Sequence, residues 1–131
     1  MANADIIRGV YEAFGRGDVN HILNQLDPAV EWGSTSVATE VPWLGWRKGV
    51  EAVRGFFTHV ESGITITLFR PELFVEQGDN VAVKLRIEGT IKKTGQAAKF
   101  DTIHLWQLKA GKIVCYQQFD DTAAVRDSWR G

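Results

Sequence analysis

From residue 64 onward the chain reads as one strand after another, and this half of the sequence constrains the fold most. Runs rich in β-branched and aromatic residues cover 64–70, 72–76, 80–91, 97–108 and 112–119. Gly78-Asp79-Asn80 and Lys93-Thr94-Gly95-Gln96 are turn-forming stretches between them. In Val81-Ala82-Val83-Lys84-Leu85-Arg86-Ile87-Glu88, apolar and polar residues alternate strictly after Ala82. Such a strand buries one face and wets the other, as in an antiparallel sheet covered on one side. The first half is helical instead. Ile6, Val10 and Phe14, with Ile7 and Tyr11, recur at helical spacing over residues 3–14, and Gly15-Arg16-Gly17 ends that helix. Asp18 is a good N-cap for a short second helix over 19–26, which Asp27-Pro28 closes. Residues 29–32 form a short strand, and Val50, Val53, Phe57 and Val60 mark a third helix over 50–60. Helices first and strands after make an α+β domain, with helices packed on one face of a curved antiparallel sheet.

A chain of 131 residues is expected to form one domain spanning 1–131. Hydrophobic residues make up 44%, enough for a core without disulfides. The net charge of −1 is spread without a basic stripe, so no nucleic-acid partner is expected. The single cysteine, Cys115, excludes an internal disulfide and a cysteine-built metal cage, and its apolar neighbours suit an inert buried thiol. His21 and His59 fall on helices far apart in sequence. No cluster has metal-ligand spacing and no glycine-rich phosphate loop is present, so neither metal nor cofactor is expected. No segment approaches membrane-spanning length, and the first residues lack a basic start followed by an apolar stretch. The expectation is a soluble cytoplasmic protein with no membrane contact.

The candidate site is aromatic. Trp32, Trp43 and Trp46 lie within fifteen residues of one another, two of them on a sixteen-residue stretch, 33–48, that reads as a long loop. Loops of that length in a small domain usually carry function. With Phe57, Trp106 and Tyr116 these indoles are expected to line an apolar ligand cavity. Its polar anchors come from the last hairpin, whose turn is Lys109-Ala110-Gly111-Lys112. His104 sits on one strand and Gln118 on the other. A three-residue loop centred on Gly111 pairs His104 with Gln118 and puts both on one face with Trp106 and Tyr116. A two-residue Ala110-Gly111 loop pairs His104 with Gln117 and turns Gln118 to the other face. His104 is the candidate catalytic residue, since imidazole titrates near neutral pH.

Further motifs carry a resemblance. They are Tyr11-Glu12-Ala13-Phe14 with Gly17-Asp18; Val30-Glu31-Trp32; Pro42 with Gly45 and Gly49; Val53 with Phe56-Phe57; and Gly78-Asp79 with Val81. Thr94-Gly95, Ile103-His104-Leu105-Trp106, Gly111-Lys112-Ile113 and Asp121-Thr122-Ala123-Ala124 follow in the same order and spacing. In these the chain resembles the nuclear transport factor 2-like superfamily, and within it the bacterial SnoaL-like, ketosteroid-isomerase-related branch. The resemblance implies a cone-shaped curved antiparallel sheet wrapped by N-terminal helices and enclosing an apolar pocket. It also implies a homodimer joined through sheet faces. Isomerases, cyclases, dehydratases, epoxide hydrolases and plain binding domains share this fold, so the fold does not fix the function.

Each family chemistry meets a departure here. The isomerase base falls at Trp32, whose indole cannot abstract a proton, and the tyrosine donor falls near Val10, with Tyr11 one step out of register. The cyclase histidine matches His104, but the aspartate facing it falls at Gln118, which is neither acid nor base near neutral pH. The epoxide-hydrolase Arg-x-Asp pair is matched in spacing by Arg86-Ile87-Glu88, although alternation makes these the wet face of a strand. Asp101 has the parity of Ile103 and Leu105, opposite to His104, and Asp121 suits the cap of a terminal helix. The reading is a small-molecule-pocket protein for an apolar cyclic, polyketide-like or terpenoid-like ligand. The alternative is a cofactor-independent cyclase, isomerase or epoxide hydrolase using His104 as general acid or base.

Overall fold

The computed structural model describes residues 2–36 and 38–131. Val37, inside the expected loop, lies outside the described residues. Helix α1 (Asn3–Gly15) buries Ile7, Val10, Tyr11 and Ala13 along one stripe. Asp18 caps α2 (Val19–Asn24) by accepting from the His21 amide at 3.1 Å. That helix is shorter than its apolar spacing suggests, because Leu26 already belongs to a strand and stands beside Ile113. This strand, β1 (Leu26–Gly33), is longer than expected. A two-residue strand, β2 (Arg47–Lys48), lies inside the stretch expected to be all loop and pairs with Glu31 and Trp32. Helix α3 (Val50–Gly63) runs directly into β3 (Ile64–Gln77).

The remaining elements are β4 (Asn80–Ile91), β5 (Ala97–Lys109), β6 (Lys112–Asp120) and α4 (Thr122–Arg130). The cap of α4 is Asp121, whose carboxylate accepts from the Ala124 amide at 3.2 Å. Where two strands were expected between 64 and 76, β3 is continuous through Pro71. It can be, because β3 is an edge strand and its register shifts on either side of that region, which is where a residue without an N–H is tolerated.

The six strands form a curved, unclosed sheet in the order β2-β1-β6-β5-β4-β3. The sheet is antiparallel, as expected, except at one place: β1 runs parallel to β6. Hairpins force β3 to β6 to alternate in direction. No hairpin links β1 to β6, since the chain between them passes through α3 and four strands, so nothing imposes that alternation on the pair.

On β4 the burial alternates as the sequence does. Val81, Val83, Leu85 and Ile87 face inward and are buried. Each fully buried aliphatic side chain contributes about 1.5–3 kcal/mol. The outward face carries Lys84, Arg86 and Glu88. Arg86 reaches Glu88 at 3.2 Å and Asp101 at 3.7 Å, and Lys84 pairs with Glu72 and, at 3.6 Å, with Asp101. The Arg-x-Glu pair therefore belongs to the outer surface, where each such contact is worth about 0–1 kcal/mol. No helix among the described residues is long and apolar enough to cross a membrane.

The β5–β6 turn combines the two loops weighed above. Ala110 and Gly111 have φ of 51° and 79°, a two-residue turn of the type that matches strand twist, and Lys109 pairs with Lys112. Leu108 pairs with Ile113, but Gln107 pairs with Cys115, so Val114 is an extra residue on β6. That bulge moves the register by one, and His104 ends opposite Gln118.

Gly33 ends β1 with φ of 148°, and a Cβ added there would overlap the backbone carbonyl of Gly45. Backbone cannot swing aside as a side chain can. Gly33→Ala is expected to lower stability by about 1–3 kcal/mol, seen as a lower urea midpoint at unchanged m-value.

Candidate functional site

A cavity of about 90 Å³ lies between the inner face of the sheet and the helices. The inner face of the last hairpin supplies His104, Trp106, Tyr116 and Gln118, because strand alternation and the β6 bulge put all four on one side. Trp32 of β1 and Phe57 of α3 close the floor, and Trp43 reaches in from the connection before α3. Trp46 was expected to join them and does not. Its indole is 46% exposed and lies outside the cavity wall, since Gly45 turns the chain at φ 96° and the next side chain leaves the interior. Phe14 of α1 and Phe69 of β3 pack at 4.8 Å between ring centroids, and both are partly exposed at the cavity's edge.

The wall is mainly aromatic, with Val10, Ile22, Val60, Ile64, Ile66 and Ile87 filling in between the rings. Trp32 meets Phe56, Phe57 and Trp106 edge-on at 5.5, 5.6 and 5.6 Å, and lies against Tyr116 at 4.1 Å. Offset and edge-to-face pairs of this kind each add about 0.5–1.5 kcal/mol beyond area burial. The Trp32 N–H is buried and has no hydrogen-bond partner among the described residues.

Two short hydrogen-bond chains enter this apolar enclosure. In the first, the Trp106 indole donates to the Tyr11 hydroxyl at 2.9 Å, and that hydroxyl stands 2.8 Å from Nδ1 of His104. In the second, the Tyr116 hydroxyl donates to Oε1 of Gln118 at 2.9 Å. The Gln118 amide then donates to Asp120 at 3.0 Å, and Thr102 donates to the other carboxylate oxygen at 2.5 Å. His104 and Gln118 are 6% and 4% exposed, so these groups exchange water for one another.

Burial governs their ionisation. His104 is pushed down to about 3, because an imidazolium here would lose its hydration without gaining a counter-charge. It is neutral at pH 7. Asp120 is pushed up to about 6 by the same desolvation, opposed by the Thr102 hydrogen bond. Tyr11 and Tyr116 are raised far above the ordinary phenol value by burial and stay protonated. The group able to carry a proton near neutral pH is Asp120.

Sequence reasoning missed Asp120 while weighing Asp101 and Asp121. The signal was there: Asp120 is two residues beyond Gln118 and Thr102 two before His104, so both share the inward face. Asp101 lies exposed on the outer face with Lys84 and Arg86. Cys115 is partly buried and raised by desolvation and by Glu31, as befits an unreactive thiol. Among the described residues no group of three or more His, Cys, Asp or Glu stands close enough to hold a metal ion.

Comparison with known proteins agrees with this architecture. No curated protein matches the chain. Among solved structures, an NTF2-like protein of unknown function from Burkholderia pseudomallei superposes with a TM-score of 0.91 at 27% identity, covering 100% of both chains. TerC, co-crystallised with polyporic acid, superposes at 0.87 with 28% identity over 98% of each chain. A protein from Mesorhizobium loti, named for SnoaL-like polyketide cyclases, is 22% identical with a TM-score of 0.75 over 91% of this chain and 99% of its own, and shares the fold. Residues 7–116 match the SnoaL-like domain family, and the chain belongs to it, within the NTF2-like superfamily.

Proposed function

We propose that this protein binds an apolar cyclic small molecule, of polyketide, terpenoid or simple aromatic type, in the cavity beneath α1 and α3. The observation that carries this reading is a small set of polar groups, most of them on the last hairpin, in an otherwise apolar enclosure. Small-molecule sites have this composition, with a few placed polar groups fixing orientation. His104 and Gln118 hold the ligand's oxygen, and Trp32, Trp43, Phe57, Trp106 and Tyr116 enclose its ring. TerC, similar over nearly the whole chain, was co-crystallised with polyporic acid, which supports a small-molecule ligand here. The cavity of about 90 Å³ is smaller than the ~150 Å³ that admits benzene in an engineered apolar site. In this reading a larger ring is accommodated by movement of the partly exposed Phe14 and Phe69 at the cavity's edge. The expected setting is the cytoplasm.

A second reading, cofactor-independent catalysis, is favoured by one observation: a buried carboxyl at about 6 on the same inner face as a neutral imidazole. In that reading Asp120 moves the proton and His104 holds the oxygen on which charge develops. The acid–base role expected of His104 passes to Asp120, because an imidazole at about 3 is a weak base.

Extraction of the purified protein and mass spectrometry of the extract identifies a bound molecule, which is then titrated onto variants. His104→Ala is expected to weaken binding by about 0.5–1.5 kcal/mol, the net worth of a neutral hydrogen bond. If the protein is an enzyme, Asp120→Asn lowers turnover about 10²–10⁴-fold with a smaller change in affinity. A base must be ionised, so the wild-type rate then rises as pH passes about 6. Affinity and turnover unchanged in both variants would remove the site.

We also propose a homodimer through the outer face of the sheet. Ile103 and Phe119 pair across β5 and β6 there, 41% and 48% exposed, an apolar pair facing solvent. Light scattering should report twice the 14.6 kDa chain mass, and Phe119→Glu should return the single-chain mass without loss of helix or strand signal.

A further inference from the structure

We infer that Trp106 and Tyr11 act as positioning residues that lock His104 in its Nε2–H tautomer, and that the cavity is thereby selective for a ring ligand presenting a carbonyl oxygen. The inference rests on the ligand-binding reading above and names the ligand's chemistry at His104.

An indole N–H can only donate, so the Tyr11 oxygen must accept from Trp106 at 2.9 Å. The Tyr11 hydroxyl has one hydrogen, and His104 Nδ1 at 2.8 Å is the acceptor in reach. If Nδ1 carried the proton instead, Tyr11 oxygen would receive two hydrogens while its own was left buried without a partner. A buried unpaired donor is disfavoured enough to exclude that arrangement. Nδ1 is therefore the acceptor, and the single proton of neutral imidazole sits on Nε2. Among the described residues Nε2 has no hydrogen-bond partner, and His104 lines the cavity.

The lock has a direction that a lone histidine lacks. A free imidazole offers either a donor or an acceptor to whatever arrives, because its tautomers interconvert. Here the direction is set two residues away, by a side chain that cannot reverse. Tyr11 also packs against the ring it controls, with centroids 5.9 Å apart and planes 24° apart, so the imidazole is held in orientation as well as in protonation. His104 is consequently a fixed donor in a wall of hydrocarbon. A ligand without an acceptor at that point leaves the donor buried and unpaired. Nearby, Asp120 is the one acceptor terminus, fed by Gln118 and Thr102, so the two polar ends of the wall have opposite sense.

The test begins with the unliganded wild-type protein. Long-range proton–nitrogen correlation spectra distinguish the two nitrogens of His104. The expected result is a protonated Nε2 and an unprotonated Nδ1 from pH 5 to 8. A proton on Nδ1, or an averaged pair of nitrogens, would overturn the lock. Trp106→Phe keeps the Tyr11 hydroxyl but frees it to turn, and Tyr11→Phe removes it. Each should shift His104 toward averaged tautomers while the fold's other resonances persist, an effect that loss of packing alone would not produce.

Two isosteric probes then test the ligand half: cyclohexanone, and methylenecyclohexane, which has CH₂ in place of the oxygen. Both should enter, and only cyclohexanone should move the Nε2–H proton downfield. His104→Phe should weaken cyclohexanone roughly two- to tenfold more than methylenecyclohexane. Equal losses for the two, or a ketone that binds without moving the Nε2–H resonance, would overturn the selectivity. If neither probe enters at its solubility limit, the ligand-binding reading falls and takes the ketone with it, while the tautomer spectra still decide the lock.

Discussion

The polar wall of the cavity depends on the pairing of β5 with β6. Because side chains alternate along a strand, a slip of one residue would send Tyr116, Gln118 and Asp120 to the outer face and bring Cys115, Gln117 and Phe119 inward. Two features set the register together: the Ala110-Gly111 turn, with both residues at positive φ, and the extra residue Val114 on β6. Neither suffices alone. The turn without the bulge pairs His104 with Gln117, and the bulge has no reference without a turn of defined length. Bulges next to functional sites commonly re-aim side chains in this way.

Once the register is set, the helices supply the environment. The apolar stripe of α1 brings Tyr11 over the sheet, and α3 brings Phe56 and Phe57 against Trp32. The resulting enclosure has few groups able to solvate a charge. The same desolvation acts on two polar residues one rung apart and drives them in opposite directions, His104 down and Asp120 up. What distinguishes them is their company. His104 receives a hydrogen bond that suits its neutral form, while Asp120 receives two that suit its charged form and limit how far burial can raise it.

The fold was legible in the sequence because its cues are local. Alternation in 81–88 and the glycine turns mark strands, and the spacing of Ile7, Val10 and Tyr11 marks α1. The parallel pairing of β1 with β6 was not legible, since it joins segments about ninety residues apart and leaves no short-range trace. At the site, strand parity puts His104 with Trp106 and Tyr116 with Gln118, while bringing the two pairs to one face depended on which of two turns set the register. Trp46 failed because a loop has no period from which to read where a side chain points. Asp120 carries the same parity but lies beyond Gln118, the position aligned with a related chemistry, and no motif marks it. The role of Tyr11 could not be read from spacing, as its hydroxyl meets His104 across ninety-three positions.

The central claim is that one aromatic enclosure perturbs His104 and Asp120 in opposite senses, and stability against pH tests it most directly. Asp120 rises from 3.8 to about 6 in the folded protein, so its contribution is full below 3.8 and is lost as pH climbs through about 6. His104 falls from 6.5 to about 3, so its contribution is full above 6.5 and is lost as pH drops toward about 3. Urea unfolding of wild type, Asp120→Asn and His104→Gln over this range separates the two. Relative to wild type, Asp120→Asn should gain stability as pH increases from 3.8 to about 6, and His104→Gln should gain it as pH decreases from 6.5 toward about 3. Differences that stay flat with pH, or that run in the same direction for both variants, would contradict the account.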